Sequence, residues 1–310
     1  ERFRHGVLAW MRLNRPHRRR VDGRVAPHPK DEYLLYQVLL GSWPMDDAGA
    51  EAAAGADPVY LERVRAYMVK AMREGKERTS WRRTDERYEA AVLDFVGRIL
   101  APGATFVAAF RPFQQELARA GALVSLAQLV LKLTVPGVPD IYQGCELWDG
   151  SLADPDNRRP VDFATRRGWL AELTALDPAA PGALEGLIAS WRDGRIKLFF
   201  TRRLLELRAR HPALFATGEH VAVEARGAQR ERLCAFARRA PDEPTLLVVA
   251  PRLVAELSRP DGALFPAPSA WAGTTLRAPE GGPWRDVLTG ARVPGGSQLA
   301  VDALFARWPF

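Results

Sequence analysis

The sequence predicts an α+β chain in two parts. Residues 1–212 read as a mostly helical segment carrying the final strand and helix of an incomplete (β/α)8 barrel, and residues 213–310 as an antiparallel β-sandwich. Three observations lead there. Apolar residues recur at helical spacing from Phe3 to Leu207. Beyond Phe215 the spacing becomes alternate, in short runs parted by turn residues. In between, Pro136-Gly-Val-Pro139 breaks a buried helix ahead of the short extended piece Asp140-Ile-Tyr142 and a polar loop. That order of elements belongs to α/β barrels, whose loops after the strands carry function.

Phe3, Val7, Leu8, Trp10, Met11 and Leu13 form the first helix, which Pro16 ends. No leading turn or cap precedes it, so the chain is expected to start within a longer structure. Arg18 to Pro29 reads as a polar loop. Asp31-Glu32 then opens a helix carrying Tyr33, Leu34, Tyr36, Leu39 and Leu40, closed by Gly41 and Pro44. Asp46 to Ala56 reads as a linker. Asp57-Pro58 supplies an N-cap and a first-turn proline for a third helix, which Gly75 terminates. The connector Lys76 to Trp81 is either a turn with Trp81 packed on the core or a loop presenting Arg78 and Trp81 to a ligand.

Thr84-Asp85-Glu86 caps a fourth helix that Pro102-Gly103 stops. Thr105–Ala120 and Ala122–Thr134 read as two helices joined at Gly121, the second apolar on nearly all sides and therefore buried. After the loop, Asp162 caps a helix bearing Trp169, Leu170 and Leu173. Another, beginning at Pro181, carries Leu184, Leu187 and Trp191, and Asp193 to Arg210 is amphipathic. Strand-like runs follow at 220–223, 233–237, 245–249, 273–276, 284–288 and 299–301, enough for six or seven strands.

With 310 residues, 47% of them hydrophobic, the chain can bury a large core. The longest apolar runs, such as Ala122 to Leu131, are interrupted by Ser125 and Gln128 and fall short of the roughly 20 residues a bilayer requires. No membrane partner is expected. Two cysteines, Cys145 and Cys234, make no disulfide framework, and no secretory leader pattern is present, so a cytoplasmic location is expected. The net charge of +7 raises nucleic-acid binding as a reading. Against it, only five of the 44 basic residues are lysine, and the arginines lie beside acids, as in Glu62-Arg63-Val-Arg65 and Asp85-Glu86-Arg87. Such pairs read as solvated helix faces. The one basic cluster, Arg12 to Arg24, lacks interleaved aromatics, so no nucleic-acid partner is expected.

Several chemistries are excluded by what is missing. No glycine-rich phosphate cradle occurs, and the five histidines share no metal-ligand spacing. Asp154-Pro-Asp156-Asn157 resembles the start of a calcium loop, but Arg159 and Thr165 stand where glycine and glutamate are required. No metal and no cofactor are expected. What remains is carbohydrate recognition, which combines carboxylates, amides and arginines with aromatic platforms. Tyr142, Glu146, Trp148, Asp154, Asp156, Asn157, Arg158 and Arg159 supply that set, with Arg78 and Trp81 added from the earlier connector. In a second reading, Asp156, Arg158 and Arg159 form a salt-bridged clasp closing the loop, and the two readings are compatible.

Gly137-Val-Pro-Asp-Ile-Tyr-Gln-Gly-Cys-Glu146 resembles the last barrel strand of the alpha-amylase superfamily (glycoside hydrolase family 13). The longer run Pro136 to Phe163 resembles the maltooligosyltrehalose synthases of that superfamily. So do Asp31-Glu-Tyr-Leu-Leu-Tyr-Gln37, Gly41-Ser-Trp-Pro44, Gly75 to Trp81 and Phe110-Arg-Pro-Phe113, collinear over essentially the whole chain. The resemblance implies a maltooligosaccharide substrate whose reducing-end α-1,4 bond is isomerised to an α,α-1,1 bond, a step of trehalose biosynthesis. It also implies three catalytic carboxylates on earlier barrel strands, the last in a His-Asp pair followed by Thr-Lys-Arg. No His-Asp pair exists in this chain, so no catalytic residue is assigned. The chain is expected to be inactive alone, as a C-terminal portion needing the N-terminal part of the barrel or self-associating through the faces left open. A non-catalytic carbohydrate-binding or scaffold module is the alternative.

Overall fold

The computed structural model describes residues 1–45, 55–257, 259, 261–279 and 282–310; residues 46–54 of the expected linker lie outside them. Two compact units result: Glu1–Ala118 with Gly150–Pro160, and Arg119–Asp149 with Val161–Phe310. Residue 212, where the change of period suggested a boundary, lies inside the second.

The first unit holds α1 (Arg2–Leu13), a hairpin of β1 (Arg19–Val21) and β2 (Arg24–Ala26), α2 (Pro29–Ser42), α3 (Pro58–Gly75), α4 (Glu86–Ile99) and the start of α5 (Thr105–Thr134). The expected caps form. Asp57 accepts from the amides of Val59 and Tyr60 at 2.9 and 3.1 Å, and Asp85 accepts from Tyr88 N at 3.0 Å. Each satisfies amides the helix leaves open, a contribution of about 1 kcal/mol. The core is aromatic at its centre: Tyr36 and Phe106 stack at 5.3 Å, and Trp10 meets Phe110 at 5.4 Å. The β1–β2 hairpin replaces the expected polar loop. Its turn is Asp22-Gly23, both at positive φ (49° and 78°), the two-residue geometry that matches strand twist. Four arginines across the hairpin (Arg18, Arg19, Arg20 and Arg24) hid its single inward position per strand, Val21 and Ala26.

α5 is one continuous helix of 30 residues, where two were expected. Gly121 is exposed and costs about 1 kcal/mol in a helix, which the burial of Ala122, Leu123, Leu126 and Leu133 outweighs. Read as one element, α5 is long and apolar enough to cross a membrane, contrary to the reading of its shorter runs. Its buried stripe of Phe106, Val107, Phe110, Leu126 and Leu133 is equally that of a core helix, and Arg111 and Gln114 are buried in it.

The second unit contains the rest of α5, then α6 (Phe163–Ala175), α7 (Ala183–Ala189), α8 (Arg195–Arg210) and α9 (Pro212–Ala216). After these come β3 (Glu219–Ala222), β4 (Ala225–Arg226), β5 (Leu233–Arg239), β6 (Leu246–Pro251), β7 (Thr275–Arg277), β8 (Trp284–Arg285), β9 (Arg292–Val293), β10 (Gln298–Ala300) and the short α10 (Val301–Leu304). Every pairing is antiparallel, in the orders β3-β5-β6, β10-β7-β4 and β8-β9. Leu233 and Val249 of one sheet share a buried cluster with Leu276 of another and with Trp271, Val301 and Phe305. The described strands outnumber the expected six or seven because β4 and β9, two residues each, are too short to show alternation.

Asp140-Ile-Tyr142 forms no strand. A parallel barrel strand exists only through ladder bonds to neighbours on both sides, and no described strand pairs with it.

Candidate functional site

The residues expected to bind sugar fall in two groups, one in each unit. In the second unit, the loop 136–149 leaves the C-terminus of α5, where helical carbonyls lack intrahelical donors. Two arginines supply them: Arg208 Nη1 donates to Leu133 O at 2.9 Å and Arg238 Nη1 to Thr134 O at 3.0 Å. Arg238 is 1% exposed and also donates to the carbonyls of Leu214, Gly218 and Glu219 at 2.9, 3.0 and 3.2 Å. Its charge is met by carbonyl dipoles, two of them at the end of α9 and just beyond it, a favourable setting for a cation.

Further along, Arg166 Nη2 donates to Gly144 O at 2.8 Å and its Nε reaches the Glu146 carboxylate at 3.3 Å. Lys197 Nζ donates to Leu147 O at 3.0 Å and lies 5.7 Å from the centroid of the Trp148 ring. The Trp148 indole donates to Trp191 O at 2.7 Å, and the two indoles meet edge-on at 6.4 Å. Gly194 makes this approach possible. Its φ is +86°, and a Cβ there would stand 3.1 Å from Leu147 Cβ and 3.2 Å from Trp148 N. Burial pushes the Lys197 ammonium down from the ordinary lysine range, with Lys132 adding to that and Cys145, Asp149 and Glu146 opposing it. Tyr142 is 56% exposed.

In the first unit, Asp156 is the anchor of 150–160. Arg63 grips it with two parallel bonds of 2.8 Å, and also donates to Gly150 O at 2.8 Å. Leu152 N adds a bond of 2.6 Å to the same carboxylate, and Arg159 pairs with it at 3.1 Å. Hydrogen bonds from Arg63 hold the Asp156 carboxyl below the usual carboxylate range, against the opposing effect of partial burial. Asp154 and Arg158 form an ion pair whose arginine is 74% exposed, and Asn157 is exposed. A groove of about 680 Å³ runs between Val59, Tyr67 and Lys70 of α3 and Asp154, Pro155 and Arg159 of the turn.

Arg78 and Trp81 sit elsewhere in the same unit. The Arg78 guanidinium is committed to Asp31 through two bonds of 2.9 Å and to Glu77 at 2.8 Å. Tyr88 also donates to Asp31. Trp81 is 58% exposed, with Arg73 over its ring at 4.9 Å. Arg63 and Arg73 are ten residues apart on α3, about 15 Å of helix rise. Trp81 and the 154–159 turn therefore lie toward opposite ends of that helix.

The residues that hold these groups are largely ones the sequence reading passed over. Arg63 was assigned to a solvated face beside Glu62, yet it is Arg65 that pairs with Glu62, at 2.6 Å, while Arg63 reaches across 93 positions. Helical spacing could have separated them, since positions i and i+2 point to different sides. Lys197 and Arg166 gave no local signal, because Lys197 meets a backbone carbonyl 50 positions away and Arg166 a carbonyl and a carboxylate 22 and 20 positions away.

No protein-family model matches the chain. A Mycobacterium tuberculosis protein named "Putative maltooligosyl trehalose synthase" is 34% identical over 285 residues, 92% of this chain and 31% of the relative. The solved maltooligosyltrehalose synthase of Arthrobacter ramosus superposes on 97% of the chain with a TM-score of 0.70 and 30% identity, and the chain covers 34% of it. The solved hypothetical maltooligosyl trehalose synthase of Sulfolobus tokodaii matches 97% of the chain at 28% identity and a TM-score of 0.67. This chain thus spans about a third of the length of its relatives, and it belongs to the maltooligosyltrehalose synthase family as a C-terminal portion.

Proposed function

We propose that the chain serves a maltooligosyltrehalose synthase by contributing substrate contacts, while the reacting carboxylates come from the part of the relatives' length it does not span. The observation that carries this reading is the match to the Arthrobacter ramosus enzyme over 97% of the chain. In the proposed reaction a carboxylate nucleophile forms a glycosyl-enzyme, an acid protonates the leaving oxygen, and the released glucose returns through its anomeric hydroxyl. Sugar must then outcompete water, and ordered aromatic and polar walls serve that end.

In this reading Tyr142 and Trp148 offer stacking faces and Glu146 a carboxylate, held by the Arg166 and Lys197 contacts. Trp81 offers an exposed indole. Asp154, Asn157, Arg158 and Arg159 offer hydrogen bonds at the groove, while Asp156 and Arg78 act first as clasps for their neighbours. Asp140-Ile-Tyr142 takes its strand form when neighbouring barrel strands are present, and the sheets of 213–310 pack as a sandwich around the Trp271 cluster. The free thiols of Cys145 and Cys234 suit a cytoplasmic protein.

Purified chain incubated with maltopentaose should give no non-reducing product, whereas a longer protein containing it should convert the sugar with loss of reducing ends. Turnover by the chain alone would overturn the division of labour, and a longer protein that only hydrolyses maltopentaose would overturn the isomerase reading.

A further inference from the structure

Arg166 donates to Gly144 O and Lys197 to Leu147 O within the loop 136–149, while the Trp148 indole donates outward to Trp191 O. Only five lysines occur in the chain, and Lys197 lies on the first turn of α8. Among the described residues its ammonium forms no ion pair with a carboxylate; it donates to Leu147 O at 3.0 Å and faces the Trp148 ring at 5.7 Å. A partly buried ammonium without a counter-ion is costly to hold. Here that cost is set against two contacts that bear on one residue. The carbonyl bond fixes the peptide immediately before Trp148, and the cation attracts the ring from one side.

The other restraints on Trp148 leave the same freedom for Lys197 to remove. The indole nitrogen is tied to Trp191 O at 2.7 Å, and Gly194 brings the start of α8 against Trp148 N. These pin one edge of the ring and its backbone, but one hydrogen bond at the ring edge still permits a swing about that edge. The ammonium near the ring closes that motion. Lysine suits the position, since a compact charge on a flexible stem can reach both a carbonyl and a ring, and a planar guanidinium could do so only with a shifted geometry.

We infer that Lys197 is a positioning residue that sets the orientation of the Trp148 indole, the face on which a glucosyl ring of the maltooligosaccharide stacks. The sugar part of this statement rests on the proposed function; the positioning part does not. The two are separated by using a quencher and a sugar as independent probes on the same chain.

Acrylamide quenching of tryptophan fluorescence in the chain, taken as the difference from the same chain carrying Trp148→Phe, reports Trp148 alone. Lys197→Met is expected to raise that difference signal about twofold, and Lys197→Arg to return it part of the way, with the melting temperature of each variant recorded. Should Lys197→Met fail to fold, Lys197→Gln, which can still reach Leu147 O but carries no charge, makes the same comparison. Unchanged quenching in the folded variant, or an equal rise in the Trp148→Phe background, would overturn the inference. Maltopentaose should then protect Trp148 in the parent and less so in Lys197→Met. A loosened Trp148 in Lys197→Met with no protection by sugar in the parent would uphold the positioning and sink the stacking face.

Discussion

In the first unit, the 150–160 segment is held by its own carboxylate: Asp156 accepts from Arg63, from Leu152 N and from Arg159. In the second unit, 136–149 is held through backbone carbonyls: Leu133 and Thr134 at the end of α5, just before it, accept from Arg208 and Arg238, and Gly144 and Leu147 within it accept from Arg166 and Lys197. The difference lies in where the vulnerability resides. An ionic clasp fails when one loop side chain is changed or protonated. A loop held by its carbonyls tolerates changes in its own side chains and fails when the cation behind it is lost. The second arrangement leaves the loop side chains free for ligands, which fits Tyr142 standing 56% exposed there.

The contrast can be broken most sharply at Arg238. Removing its guanidinium with Arg238→Met would leave the carbonyls of Thr134, Leu214 and Gly218 without that donor in a buried place. The expected cost is about 3–5 kcal/mol, read from denaturant unfolding. A loss below about 1 kcal/mol would show that the end of α5 does not need Arg238.

A smaller effect is expected at Asp156. Asp156→Asn keeps the shape but removes the charge that Arg63 grips, at a cost of about 1–2 kcal/mol. The sign of the pH dependence follows from the lowered Asp156 value. Its stabilisation is fully present above the ordinary carboxylate range and is lost as pH falls through the lower, folded value. Acid titration of the parent should therefore show a limb that flattens in Asp156→Asn, while Arg238→Met should leave that limb in place. An acid limb of equal size in Asp156→Asn would assign it to another group, with Glu89, also lowered by its bonds from Arg73, the nearest alternative.

The smallest change is expected from Arg158→Ala. Its partner is Asp154, the pair is largely in solvent, and the effect on stability should stay within about 0.5 kcal/mol. A cost as large as that of Asp156→Asn would move the clasp from Asp156 to the Asp154–Arg158 pair.

The caps at Asp57, Asp85 and Asp162 were readable because a cap and its target lie within three residues. The change of apolar period near Phe215 was readable because burial on one face of a strand repeats at every second position. Arg63 was not: nothing local distinguishes an arginine paired with its neighbour from one paired 93 positions away. The β1–β2 hairpin carried a signal in Asp22-Gly23, obscured by the arginines around it. Gly121 misled in the opposite direction, since a single glycine weighs little against a buried helix face.

By itself the sequence determined the helical and sheet regions, the helix caps, the family and the composition of the loop Pro136 to Pro160. All of these rest on local spacing or on matched motifs. Only the tertiary structure decided that this stretch is two segments, one closed by the charge of Asp156 and the other carried by Lys197, Arg166, Arg208 and Arg238. The physical reason is that a carbonyl or a distant carboxylate has no sequence signature as a partner. Which cation meets it is settled by packing alone.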